Sequence, residues 1–140
     1  MSREKKYYVV TSRKLVRPEL YPRVPENWFT LNKYEDNFTP RVRLYPSELQ
    51  ALLAKEHMEV GDIFYVYEFK YSGEVIEPGP VSVPSSTITG EVWVKKPIML
   101  TFKNEISIVG FGNKYEEFYV HIKGKDFKVP VKVPIYMTEE

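Results

Sequence analysis

Ile63-Phe64-Tyr65-Val66-Tyr67-Glu68-Phe69 is the stretch that decides the fold. Aromatic and β-branched side chains occupy both parities, so a strand here is apolar on both faces and belongs in the middle of a sheet. Upstream, Ser47 is a natural N-cap, with Gln50 as capping-box partner and Glu48 in the first turn. Leu49, Leu52 and Leu53 form an apolar stripe, and Gly61 lies beyond the end, which predicts one main helix over about 47–57. Arg41–Tyr45 and Tyr7–Thr11 read as strands, and residues 13–20 as one helical turn stopped by Pro18. Residues 20–39 have no sustained period, only prolines, asparagines and large aromatics, and a long loop of that kind is often functional.

Downstream, the glycines, prolines and serines of 73–87 predict a second irregular segment. Residues 88–102 read as a strand pair or a strand bent at Pro97. Hairpins follow, with strands at 106–111, 117–123 and 127–136 and turns at Gly112-Asn113 and Gly124-Lys125-Asp126. The alternating prolines of 129–134 mark an edge strand, because proline cannot donate to a ladder. The expected fold class is α+β and β-rich: an antiparallel or split sheet around a cleft, one main helix, and a C-terminal β-hairpin region.

The 140 residues suit a single domain, 1–140, with a core of its own. A net charge of +1 gives no field that argues for nucleic acid or a membrane surface. With no cysteine, disulfides and thiolate chemistry are excluded. No apolar run reaches the roughly 20 residues that span a bilayer, and the N-terminus is not a secretory signal, so the expectation is a cytoplasmic protein. The two histidines, His57 and His121, have no partner at metal-ligand spacing, so no metal is expected. No serine sits in a nucleophile elbow, and no histidine adjoins one in sequence.

Every arginine lies in the first third of the chain, at 3, 13, 17, 23, 41 and 43, and lysine supplies all later positive charge. Arg23 and the Arg41/Arg43 pair stand in matching settings, Pro22-Arg23-Val24-Pro25 and Pro40-Arg41-Val42-Arg43. Between them runs a loop rich in Trp, Phe, Tyr, Asn and Asp. A guanidinium is a planar fork that grips phosphate or carboxylate with two parallel hydrogen bonds, whereas an ammonium is a point charge. The segregation points to a site for a planar anion in the N-terminal half. Arg41 and Arg43, two residues apart on a strand, are expected on one face.

The order of these elements gives a further pointer. A Tyr-Tyr-Val-Val-Thr-Ser strand is followed by Pro-Arg-Val-Pro, then by a Pro-Arg-Val-Arg-Leu-Tyr-Pro-Ser strand leading into the capped helix. The strand at 63–69, a Pro/Ser-rich loop and Ile88-Thr89-Gly90-Glu91-Val92-Trp93-Val94 complete the series. Over 7–108 this resembles the small ADP-ribosyltransferase fold of rifampin ADP-ribosyltransferases and RNA 2′-phosphotransferases. It is also similar to small proteins of phages and mobile elements, and leaves 109–140 as a hairpin extension. The resemblance implies a nucleotide ligand, NAD or an ADP-ribose-like molecule, and no required cofactor. Arg23, Arg41 and Arg43 would grip its phosphates, Tyr45 would lie beside them, and Trp28, Tyr34 or Trp93 would stack on base or ribose. Glu91 would accept from ribose hydroxyls or, in an active transferase, steady the transition state. Where the transferases carry a first-strand histidine this chain has Val9 or Val10, which favours binding without turnover. A phage or mobile-element protein of this kind would sequester a host immune nucleotide. The other reading is a module that binds a host protein through the aromatic 27–38 loop.

Overall fold

The computed structural model describes residues 4–24, 36, 38–55, 58–83, 86–112, 117–122 and 124–130. The apolar stretch 63–69 falls in strand β4 (Ile63–Tyr71), which lies inside a sheet, antiparallel to β1 (Lys5–Thr11) and β7 (Thr101–Gly112). Beyond β7 come β8 (Glu117–Ile122) and β9 (Lys125–Pro130), so the order is β1-β4-β7-β8-β9, with β9 the outer strand on that side among the described residues. The architecture is α+β, β-rich and antiparallel, and not closed into a barrel. Among the described residues no helix is long and apolar enough to cross a membrane.

Both faces of β4 are covered, as its unbroken apolar run requires. Phe64 and Val66 join Tyr8, Val10, Ile106, Ile108 and Val120 in one core, closed by Ala51 and Leu52 of helix α1 (Glu48–Leu53). Tyr67 points to the opposite face and joins Tyr7, Val42, Leu44, Val92 and Val94 in a second core. The last four come from a two-stranded ribbon of β3 (Val42–Leu44) and β5 (Val92–Val94). The sheet is thus a partition, with a helix on one side and a ribbon on the other.

Helix α1 starts where the cap predicts. The Gln50 N–H donates to Ser47 Oγ at 3.1 Å, and the Ser47 hydroxyl donates to Gln50 Oε1 at 2.8 Å. The Gln50 amide donates at 3.4 Å to the Ile88 carbonyl of a short helix, α3 (Ser86–Thr89). A tighter bond from the Lys55 N–H to the Leu52 carbonyl closes α1, which ends at Leu53 rather than near 57. Its first turn therefore serves tertiary structure as well as helix formation.

Two expectations give way. Residues 13–18 make no helical turn. Instead the Leu15 N–H donates to the Tyr67 hydroxyl at 2.7 Å, and the chain enters β2 (Glu19–Leu20), which pairs with β6 (Ile98–Met99). Capture by a buried tyrosine outweighs the weak helical preference of so short a run. Residues 88–91 are not strand either: Ser86–Thr89 is helical, and Gly90 at φ +68° turns the chain into β5. A second short helix, α2 (Gly79–Ser82), lies in the segment expected to be irregular.

Candidate functional site

The β3–β5 ribbon sorts its side chains by parity, as any strand must. Val42, Leu44, Val92 and Val94 face the core. The other face carries Arg41, Arg43, Tyr45, Glu91 and Trp93, with Arg43 directly opposite Trp93. Arg23 joins them because its N–H and C=O pair with those of Arg41, both at 3.0 Å. Tyr45 is tied to the main sheet by a similar bridge to Tyr8. Gly90 is what lets Glu91 enter the ribbon at this point. A Cβ there would lie 2.9 Å from Pro46 Cγ and 3.2 Å from Gln50 Nε2, and φ +68° suits glycine.

Glu91 is the hub of the face. It is only 6% exposed, and each carboxyl oxygen accepts one buried hydrogen bond: Tyr45 OH to Oε1 at 2.8 Å and Trp93 Nε1 to Oε2 at 2.9 Å. Burial, followed by the neighbouring Glu91, drives the Tyr45 hydroxyl far above the usual tyrosine range. It therefore remains a donor at every ordinary pH. The Arg41 guanidinium stacks on the Trp93 ring, 4.1 Å from its centroid. Its Nη1 donates to the Thr39 carbonyl at 3.1 Å and approaches Asp36 Oδ1 at 3.5 Å.

Burial lowers the Arg41 pKa, against the opposing pull of Asp36 and Glu91. Asp36 is raised by burial, but hydrogen bonds from Thr39 and Phe38 and the charge of Arg41 outweigh this and hold it below the usual carboxylate value. These residues form a relay of contacts from Asp36 through Arg41 and Trp93 to Glu91 and Tyr45.

The three arginines occupy one face but differ in access. Arg41 is 6% exposed, whereas Arg23 and Arg43 are exposed. The Trp93 face covered by Arg41 is closed to a stacking base. Trp93 also lines a shallow groove of about 340 Å³ with Tyr71, Val75, Ile76 and Lys96, the last 4.7 Å above the Tyr71 ring. Trp28 and Tyr34 lie outside the described residues, as does most of the 27–38 loop. Of that loop, Asp36 and Phe38 are described, and Phe38 is 76% exposed.

Sequence reasoning brought out Arg23, Arg41, Arg43, Tyr45, Glu91 and Trp93, and the fold brings all six together. It missed Asp36 and Thr39, which hold Arg41, and Gly90, which admits Glu91. Asp36 accepts from the N–H groups of Phe38 and Thr39, an Asx-type turn whose signal, an Asp three residues before a Thr, was there to read. Among the described residues no three His, Asp or Glu side chains come together to hold a metal. No protein family, curated protein or solved structure matches the chain.

Proposed function

We propose that the protein is a binding module that captures a phosphate-bearing nucleotide on the arginine face of the β3–β5 ribbon. The observation that carries this reading is the gathering of Arg23, Arg41 and Arg43 on one face, with Arg41 stacked on Trp93 and Arg43 paired opposite it. Arg41, held by Asp36, Thr39 and Trp93, is the fixed member. Arg23 and Arg43 are the exposed forks that meet the ligand. Two exposed guanidinium groups beside one buried cation suit a pyrophosphate better than a single carboxylate, because each phosphate can take a bidentate fork.

Binding without turnover fits the site better than transfer. A carboxylate that stabilises a cationic transition state must face the reacting sugar, yet both Glu91 oxygens are engaged by Tyr45 and Trp93 in a dry setting. Glu91 then acts on the ligand indirectly, by fixing the indole on which Arg41 lies. The likeness to ADP-ribosyltransferases supplies the ligand class, NAD or ADP-ribose, and sequestration of a signalling nucleotide is the role that follows from it. Capture of a protein partner through the aromatic loop is the competing reading, and exposed Phe38 is the observation in its favour.

Calorimetric titration with ADP-ribose and NAD tests the proposal. The unmutated protein should bind, and Arg43→Lys should bind about tenfold more weakly or worse, because the charge remains but the fork is lost. Arg13→Lys, away from the ribbon, should change nothing. Absence of nucleotide binding by the unmutated protein would overturn the reading in favour of protein capture.

A further inference from the structure

The hairpins beyond the resemblance hold an arrangement that sequence spacing concealed. In the register of the sheet, Ser107 on β7 is paired directly with His121 on β8, and His121 with Asp126 on β9. Directly opposed residues share a face, so the three side chains form one row across three adjacent strands. His121 Nδ1 and Asp126 Oδ1 are 2.8 Å apart. With Nδ1–H donating to the carboxylate, the tautomer is fixed and Nε2 is left as the basic nitrogen on the far side of the ring from Asp126. Ser107 lies on that side. Opposed Cβ atoms stand about 4.5–5.5 Å apart, near enough for hydroxyl and ring nitrogen to meet once a substrate is bound.

We propose that Ser107, His121 and Asp126 form a second, hydrolytic site that acts on activated esters with small apolar acyl groups. Ser107 is the nucleophile, His121 the general base and Asp126 the positioning residue. The same face supplies an apolar flank. Ile63 is opposite Ser107, Tyr119 lies two residues before His121, and Val109 is the extra residue of a bulge two positions after Ser107. These three are 44%, 36% and 48% exposed, so an acyl chain can lie against them. Bulges often stand beside sites where a side chain must be re-aimed.

In the acylation step Ser107 Oγ forms a bond to the ester carbonyl carbon while its proton passes to His121 Nε2. The tetrahedral intermediate collapses with cleavage of the bond to the alcohol oxygen, which takes that proton, or leaves as an aryloxide while His121 gives the proton to solvent. Water then attacks the acyl-serine, giving its proton to His121, and the proton returns to Oγ as the acid departs. Ester and water become acid and alcohol, with no other reactant. The Ile108 N–H, which follows the nucleophile, already donates to the Asp62 carbonyl at 2.9 Å. It therefore offers no oxyanion donor, and general-base catalysis supplies the rate. That restricts the site to esters with good leaving groups.

The test is incubation of the full chain with 4-nitrophenyl acetate, reading nitrophenolate release and the acetylated residue by mass spectrometry. The expected result is acetyl on Ser107 and a rate that falls by about 10²-fold or more in both Ser107→Ala and His121→Ala. Asp126→Asn should lower kcat for the ester while leaving KM unchanged, since the imidazole loses the acceptor that fixes its tautomer and orientation. A purely structural aspartate would not split the two constants in this way. All three residues lie on the open sheet surface, and circular dichroism checks that each variant stays folded. Acetylation elsewhere, or a rate that depends on His121 but not on Ser107, overturns the proposal. The second outcome would mean that the imidazole acts alone.

Discussion

Glu91 and Lys103 each hold a charged group among aromatic side chains, and the two settings differ in their access to water. Glu91 is 6% exposed and accepts two hydrogen bonds of 2.8 and 2.9 Å. The Lys103 side chain is 28% exposed, and its neighbours stand further off: Glu68 and the Tyr8 hydroxyl at 3.5 Å and Glu48 at 3.7 Å. At Glu91 the protein has replaced water with its own donors. At Lys103 it has gathered opposite charges and left water to share them. Removing a group from the first setting strands partners that nothing else can satisfy. In the second setting solvent takes up the loss.

The largest effect should come from Glu91→Ala. It leaves the Tyr45 hydroxyl and the Trp93 indole N–H buried without acceptors, at about 1–3 kcal/mol each, so the loss in denaturant unfolding should be about 2–6 kcal/mol. Glu91→Gln keeps one acceptor and should cost distinctly less. A loss below about 1 kcal/mol for the alanine variant would mean that water reaches the hub after all.

The same hub gives the protein an alkaline limit. The Tyr45 pKa is raised in the folded state above its ordinary value of 10.0, by burial and then by Glu91. The unfolded chain therefore releases this proton first as pH rises. The stabilisation is fully present below about pH 10 and is lost progressively above it. Thermal melts of the unmutated protein should fall in midpoint above pH 10. Tyr45→Phe, less stable at neutral pH, should lose less over the same range.

Gly90→Ala should have an intermediate effect, about 1–3 kcal/mol, from a left-handed φ together with the approach to Pro46. Its position also marks what could be read from the chain. The β3–β5 face was legible because period-two alternation sorts Arg41, Arg43 and Tyr45 from Val42 and Leu44 without knowledge of the partner strand. The central place of β4 was legible for a similar reason, since its apolar run leaves neither face for water.

Residues 88–91 were misread because Ile88 and Thr89 favour strands locally. The docking of α3 against Gln50 decides their conformation, and that contact joins residues far apart in sequence. The row of Ser107, His121 and Asp126 depends wholly on register across two hairpins. Spacing along the chain carries no trace of it. Lys103 was hidden for a related reason: β7 slips against β4, with Val66 opposite Asn104 and Tyr67 opposite Phe102, and Lys103 is the residue left over.

That slip leads to the smallest expected effect. In a regular ladder Lys103 and Asn104 would point to opposite faces. The bulge instead lets Lys103 reach Tyr8, Glu48 and Glu68 while Asn104 stays buried beside it. Burial lowers the Lys103 pKa, but Glu48, Tyr8 and Glu68 outweigh it and the net shift is upward, so the ammonium is held charged. Contacts of 3.5–3.7 Å are nevertheless long for charge-assisted bonds, which are shorter by more than about 0.5 Å. Lys103→Met keeps the packing against the Tyr8 ring and removes only the charge. It should cost less than about 1 kcal/mol in low salt, and less again near 1 M salt, where screening extends to about 3 Å. The experiment is paired denaturant unfolding at the two ionic strengths, with Glu91→Ala alongside. A Lys103→Met loss as large as that of Glu91→Ala, and insensitive to salt, would show that the bulge has built a second dry hub.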